Sequence, residues 1–314
     1  MTTSPTPEHM EHVYDNASVR STNNSSVWGS DLMQIPSLLI APIGLAGNGA
    51  VLWLLGFRIR RNPFSVYILN LAAADVLFLC CSFLDSIDDF VPYFHSLFKH
   101  EIIFNLRFMF YTVGLSLLAA ISTERCLSTL LPIWYRCRRP KHTSASVCAG
   151  LWTLTTLFWV NGLVVCSHVS WLVLCHFYIL EGMWFLLLTC VLCVSSLTLL
   201  LRVQCSSRRR QPPRLYLLVL LTVLVFLLFG LPWGIEDLIR YHLNRRLLPH
   251  WLFHLLACVN SSTNPLIYFF LGSQSFKRKR EPLRVVLQRV LGDEQELGGG
   301  TSDTPHTSIQ ETTF

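Results

Sequence analysis

Charged residues are scarce in this sequence. They make up 14% of the 314 residues, against 52% for hydrophobic residues, whereas soluble domains carry roughly 25% charged residues. Catalytic signatures are missing as well, because the chain contains no HExxH or GxSxG pattern and its His residues are scattered. We therefore expect a membrane protein that is not an enzyme, with no cofactor and no resident metal.

Long apolar runs, in contrast, recur seven times, and each is long enough to cross a hydrocarbon core about 30 Å thick. Because open sheets cannot cross lipid, the sequence predicts an all-α bundle of seven transmembrane helices. The predicted spans are residues 34–57, 64–91, 102–131, 145–167, 175–203, 215–241 and 249–271. A seven-helix channel or transporter is the alternative, although transporters usually carry internal repeats and we find none.

Four regions follow from this pattern. They are an N-terminal tail at 1–32, the helical bundle at 33–272, an amphipathic helix at 273–292 and a disordered tail at 293–314. The amphipathic helix is basic on one side, so we expect it to lie on the lipids of the inner leaflet.

Basic residues predict the orientation. Of the 25 Lys and Arg residues, 19 fall on the side that holds loops 58–61, 136–141 and 202–214 and the residues after 271. The positive-inside rule therefore places the N-terminus outside the cell and the C-terminus in the cytosol. Asn16, Asn23 and Asn24 begin glycosylation sequons in the outer tail, as expected for a glycoprotein of the plasma membrane.

Polar residues interrupt the apolar spans at a few positions. Asn48 follows a glycine in the first span, Asp75 lies in the middle of the second, and Asn264-Pro265-Leu-Ile-Tyr268 lies in the seventh. Polar and ionisable groups inside a membrane are costly and usually functional. The third span ends in Glu124-Arg125-Cys126, although an arginine there could also simply extend to lipid headgroups.

The order and spacing of these marks resemble those of rhodopsin-like receptors. The run STERCLSTLLPIWYRCRRPKH at 122–142 resembles one branch of that class, the Mas-related G-protein-coupled receptors. The resemblance extends over about residues 44–293 and implies a ligand-activated receptor coupled to Gq or Gi proteins, with arrestin and receptor kinases as further partners. It implies that Glu124, Arg125 and Cys126 meet the G protein. It also implies an activation switch formed by Asn48, Asp75, Phe226, Gly230, Pro232, Asn264, Pro265 and Tyr268.

Three features depart from the wider class. Gly230 precedes Pro232 where the class has a tryptophan, so no tryptophan switch is expected, and Pro232 should kink the sixth span. Gly114 stands where a hydroxyl would help to hold sodium beside the central aspartate, so the sequence leaves sodium binding at Asp75 undecided. The outer end of the third span has no cysteine; the resemblance implies a Cys166–Cys175 disulfide instead, and two unpaired thiols are the alternative.

Charged and aromatic residues at the outer end predict a binding site for a peptide or small charged ligand. The candidates are Asp85, Asp88, Asp89, Arg107, Tyr111, Trp233, Glu236 and Asp237. The carboxylates would attract a cationic ligand. Arg107 would hold a ligand carboxylate or pair internally with Asp85 or Glu236, because an unpaired buried arginine is too costly.

Overall fold

The computed structural model describes residues 35–59, 62–90, 97–140, 142–168, 171–206, 214–243 and 249–273, together with Leu287. Every element of this part of the chain is a helix. The α-helices are α1 (Ile35–Trp53), α2 (Pro63–Phe90), α3 (Leu97–Leu130), α4 (Pro132–Cys137), α5 (Thr143–His168), α6 (Trp171–Ser206), α7 (Arg214–Val225), α8 (Leu231–Leu243) and α9 (His250–Ser273). A π-helical turn, Leu54–Arg58, ends α1, and a second, Phe226–Gly230, joins α7 to α8.

The seven predicted spans correspond to α1, α2, α3, α5, α6, the α7–α8 rod and α9. Within the described residues, six of these are long and apolar enough to cross a membrane by composition alone. The remaining one, α9, is 24 residues long but carries Asn260, Ser261 and Asn264. These polar residues lower the apolar content of α9. All three are buried inside the bundle.

The third helix, α3, is the centre of the arrangement. It packs against α2, α5 and α6, while α9 closes the ring between α1 and the α7–α8 rod. The core of the bundle is mostly hydrophobic with buried polar residues among it, and the outer surface is apolar. Leu180, Met183, Leu187 and Val194 of α6 are exposed, and their spacing of three, four and seven residues places them on one lipid-facing side.

The π-helical turn before α8 has a clear cause. Proline has no backbone N–H, and its ring clashes with the carbonyl four residues earlier. The helix therefore widens just before Pro232, where the N–H of Leu231 bonds to the carbonyl of Phe226, five residues earlier. The sequence predicted an irregularity here. A side chain at Gly230 would bring its Cβ to 2.6 Å from the Phe226 ring, so the glycine permits close packing as well as bending.

Close helix packing at Gly44 yields a first prediction. A Cβ at this position of α1 would overlap the Ser262 hydroxyl of α9 and lie 2.7 Å from Leu79 of α2. Gly44→Ala should therefore cost about 1–3 kcal/mol through overpacking, seen as a lower thermal midpoint of the purified receptor. Gly49→Ala is the matched control, because nothing lies within 4 Å of a Cβ there. Equal midpoints for the two variants would contradict this packing.

Candidate functional site

A buried charged cluster lies in the outer half of the bundle. Arg107 of α3 is only 1% exposed, and its Nη1 donates to the carboxylate of Asp85 in α2. The same Nη1 lies 3.2 Å from Nε2 of His254 in α9. The predicted pairing of Arg107 with Asp85 is therefore confirmed, and three helices meet at one guanidinium. We call Asp85, Arg107 and His254 the outer node.

The protonation of His254 follows from its partner. A guanidinium has only donors, so Nε2 of His254 accepts the hydrogen bond and the ring proton is on Nδ1. The imidazole is thus neutral in this arrangement. The Sγ atom of Cys258, one turn further along α9, lies 3.8 Å from the same Nε2.

An aromatic cluster lies directly against the outer node. The Trp233 ring is 2% exposed, and its centroid lies 4.6 Å from that of Phe108 and 4.9 Å from that of Tyr111. The Cζ atom of Arg107 lies 5.8 Å from the Trp233 ring, within the range of a cation–π contact. The Tyr111 hydroxyl donates to the carbonyl of Gly230 at 3.1 Å. Trp233 and Tyr111 therefore connect the outer node to the π-helical turn rather than lying open at the surface.

The structure describes the side chains of only some of the other predicted ligand residues. Glu236 is buried in α8, and Arg240, one turn later, lies with its Cζ 5.8 Å from the Phe104 ring. The side chains of Asp88, Asp89 and Asp237 lie outside the described residues.

A second polar cluster lies in the middle of the bundle. Asn264 of α9 donates to the Asp75 carboxylate of α2 at 2.7 Å. Asn48 of α1 donates to the carbonyls of Gly44 at 3.0 Å and Ser261 at 2.9 Å. The predicted polar core is therefore present, although Asn48 reaches the backbone of α9 rather than Asp75. We call Asn48, Asp75 and Asn264 the middle node.

The remaining switch residues surround the middle node. Tyr268 and Phe226 are buried, and Phe226 stacks on Tyr111 with ring centroids 6.3 Å apart. Pro265 lies 3.1 Å from the position of a Cβ on Gly47. Gly114 lines the cavity beside Asp75 without a hydroxyl. We assign no ion to this cavity.

A third cluster lies at the inner end of α3. The Glu124 carboxylate accepts hydrogen bonds from the hydroxyls of Tyr67 in α2 at 2.9 Å and Tyr135 in α4 at 2.8 Å. Arg139, just after α4, forms an ion pair with the same carboxylate and also bonds to Ser144 of α5. We call Glu124, Tyr67, Tyr135 and Arg139 the inner node.

Arg125 points elsewhere. It is 2% exposed, and its Cζ lies 4.2 Å from the centroid of the Phe64 ring of α2. The structure shows an ion pair between Glu124 and Arg139. Cys126 is also buried. Glu124 and Arg125 both contact α2, Glu124 through the Tyr67 hydroxyl and Arg125 through the Phe64 ring.

Sequence reasoning missed His254, Tyr67, Tyr135 and Arg139. The roles of these residues come from contacts between helices that are distant in sequence. For Arg139 alone, the sequence offered an indication of its role, because it is a basic residue in the short loop that follows the helix end containing Glu124.

Several predictions lie outside the described residues. These are the Cys166–Cys175 side chains, the sequon residues Asn16, Asn23 and Asn24, the tail at 293–314 and, apart from buried Leu287, the amphipathic helix at 273–292.

The fold agrees with comparisons to known proteins. The family model for seven transmembrane receptors of the rhodopsin family matches residues 47–268. Human Mas-related G-protein coupled receptor member X1 is 43% identical over 289 residues, covering 88% of each chain. Member D from Macaca fascicularis is 47% identical over 285 residues, or 85% of this chain and 87% of the relative. Member E from Mus musculus is 42% identical over 294 residues, or 89% and 92%.

The chain therefore belongs to the rhodopsin family of seven-transmembrane receptors and, within it, to the Mas-related G-protein coupled receptors. It is a receptor rather than an enzyme, a multi-pass protein of the plasma membrane whose partners are a ligand and a G protein. The transporter alternative is not favoured.

The inner node yields a second prediction. Arg139→Ala removes the cation from a buried ion pair, which should weaken the docking of α4 by about 1–3 kcal/mol. Hydrogen exchange of residues 132–139 in the purified receptor should then be about fivefold faster or more, since 1.4 kcal/mol corresponds to a factor of ten. Arg138→Ala is the matched control, because that neighbouring side chain is exposed. Equal exchange in both variants would show that Arg139 does not hold α4.

Proposed function

We propose that this receptor transmits the binding of an extracellular peptide or small charged ligand to heterotrimeric G proteins of the Gq or Gi type, with its N-terminus outside the cell. The observation that carries the proposal is the position of Arg125. It is a buried cation at the inner end of the central helix, held over the Phe64 ring. Such a group is available to a protein that enters the inner end once the surrounding helices separate.

The path from ligand to G protein is physically continuous. The outer node contacts Trp233, Trp233 contacts Tyr111, and Tyr111 bonds to the carbonyl of Gly230 at the π-helical turn. Movement of α8 at this turn would carry α7 with it, because the two helices form one rod. A ligand that disturbs the outer node therefore has a route to the inner end of α7.

Charge supports a cationic ligand. The sequence has 11 acidic residues against six basic ones on the side that we assign to the outside. Because Arg107 and Asp85 neutralise each other, we infer that the node holds the resting state. The acids nearer the surface, Asp88, Asp89 and Asp237, would then attract the ligand. An anionic or zwitterionic ligand that opens the Arg107–Asp85 pair is the second candidate, favoured by the buried guanidinium of Arg107 in the outer half of the bundle.

Further partners follow from the inner surface. Arrestin and receptor kinases would act on the tail at 293–314, and the basic amphipathic helix at 273–292 would bind anionic lipids of the inner leaflet.

Arg125→Ala should abolish or strongly reduce signalling at equal surface expression, because it removes the cation that the G protein would contact. Calcium and cAMP responses, normalised to surface receptor, measure this. Arg58→Ala is the control, since Arg58 is an exposed arginine at the inner end of the first span. Full signalling by Arg125→Ala would exclude the proposed role.

Ligand charge gives a separate prediction. Changing Asp88 and Asp89 together to Lys should weaken a cationic peptide agonist by about tenfold or more, since 1.4 kcal/mol corresponds to a factor of ten. Arg107→Ala should chiefly change expression and basal signalling. The opposite result would be that Arg107→Ala abolishes the response to an agonist with a carboxylate, while changing Asp88 and Asp89 to Lys has no effect. In that case the ligand is anionic.

A further inference from the structure

The side of α5 that faces away from the bundle is lined by small residues over its N-terminal half. Among the six described helices that are apolar enough to cross a membrane, α5 has the smallest buried share, 22% against 33–61% for the others. Residues spaced by three or four lie on one face of a helix, and small side chains there let a second backbone approach closely. The small exposed residues of α5 are Ala145, Ser146, Ala149, Gly150 and Thr153.

Gly150 has no packing role that the described residues account for. A Cβ at this position would meet nothing within 4 Å, whereas a Cβ at Gly162 of the same helix would overlap the Phe177 ring of α6. Glycine inside a helix is destabilising relative to alanine. Close packing explains the glycine at 162. At 150, the missing side chain would be used by a helix that approaches from outside the bundle.

Asn161 lies on the same outward side of α5, nearer its C-terminal end. It is exposed within Thr143–Gly162, a stretch apolar enough to cross a membrane, and its amide forms no hydrogen bond with any residue that the structure describes. Between Gly150 and Asn161 lie Leu154 and Leu157, which are 52% and 57% exposed. A polar group that faces hydrocarbon without a partner is costly, and lipid tails offer neither donors nor acceptors. The amide therefore needs a partner that comes from outside this chain's own bundle.

The chemistry of the amide favours a second copy of the same chain. A side-chain amide carries both N–H donors and a carbonyl acceptor, so two of them can satisfy each other. In a dimer whose twofold axis runs along the membrane normal, each residue near the axis meets its own counterpart at the same depth. The spacing of four, three and four residues from Gly150 through Leu154 and Leu157 to Asn161 keeps two helices in contact along their length. A lipid tail could fill the space at Gly150 but would leave the amide unpaired.

We propose that this outward side of α5 is the interface of a homodimer in the membrane. The Gly150 residues of the two copies let the helices approach, and the two Asn161 amides bond to each other near the twofold axis. Because α5 takes no part in the outer or middle node, each copy keeps the contacts that connect these nodes. The dimer therefore requires neither the ligand nor the G protein.

The test is resonance energy transfer between labelled copies of the full-length receptor in cells, measured over a range of surface densities. Transfer for the native receptor should saturate as density rises. Asn161→Leu, which removes the amide but suits lipid, should raise the half-saturating density about threefold or more, because it removes interhelical hydrogen bonds. Gly150→Leu should raise it as well, since its side chain blocks the close approach. Asn161→Gln keeps the donor and the acceptor and should retain most of the transfer.

Gly49→Leu is the matched control, because a Cβ at this glycine of α1 also meets nothing within 4 Å; it should leave the half-saturating density unchanged. Thermal midpoints of the purified variants show that each one folds. Native transfer that rises in proportion to density without saturating overturns the proposal. Saturable transfer that Asn161→Leu and Gly150→Leu both leave unchanged also overturns it. A sterol or phospholipid that co-purifies with the native receptor but not with Asn161→Leu, in the absence of saturable transfer, would assign this side of α5 to lipid instead.

Discussion

Polar groups inside a membrane have to find partners within the protein, and this constraint organises the whole bundle. An unsatisfied polar group in hydrocarbon costs several kcal/mol, so some buried polar side chains draw two or three helices together, while others bond to a carbonyl of their own helix. The hydrogen bond from Asn264 to Asp75 at 2.7 Å shows this most directly, because it joins α9 to α2 at mid-membrane. Apolar residues can face lipid or protein at similar cost, so they determine the helix positions less strongly.

The three nodes lie at three depths along the bundle. Arg107 and Glu124 belong to the same helix, α3, and are separated by 17 residues, or roughly 25 Å at 1.5 Å per residue. The outer node joins α3 to α2 and α9, and the inner node joins it to α2, α4 and α5. Of these neighbours, α2 takes part in all three nodes. The α7–α8 rod is linked to them through aromatic contacts and the Tyr111–Gly230 hydrogen bond.

Much of this architecture could be predicted from sequence, because its causes are local. Seven apolar runs, the basic inner loops and the residues Asp75, Arg125 and Asn264 define the class and the orientation expected of it. The pairing of Arg107 with Asp85 was also predictable, since a buried arginine needs a carboxylate at similar depth. Each of these inferences needs only the sequence of one segment, or the fact that one buried charged residue requires a partner of opposite charge.

The parts that sequence did not provide all depend on packing between distant segments. His254 is one of 11 histidines, and nothing in its flanking residues shows that it faces Arg107. Glu124 forms an ion pair with Arg139, 15 residues later in the sequence, because the loop that contains α4 folds back over the helix end. Likewise, Gly230 suggested flexibility, whereas the structure shows a close approach of Phe226 and Asn260. Such relations appear only when the helices are placed side by side.

The central claim is that buried polar nodes, rather than apolar packing alone, hold the resting bundle together. A double-mutant cycle on the middle node tests it most directly, using thermal midpoints of the purified Asp75→Asn, Asn264→Leu and double variants. We predict strong non-additivity, equivalent to about 0.5–3 kcal/mol for residues in direct contact. Asp75→Asn combined with Thr198→Val, where the threonine hydroxyl bonds to the backbone of its own helix α6, should be additive. Additive midpoints for the Asp75 and Asn264 pair would contradict the account.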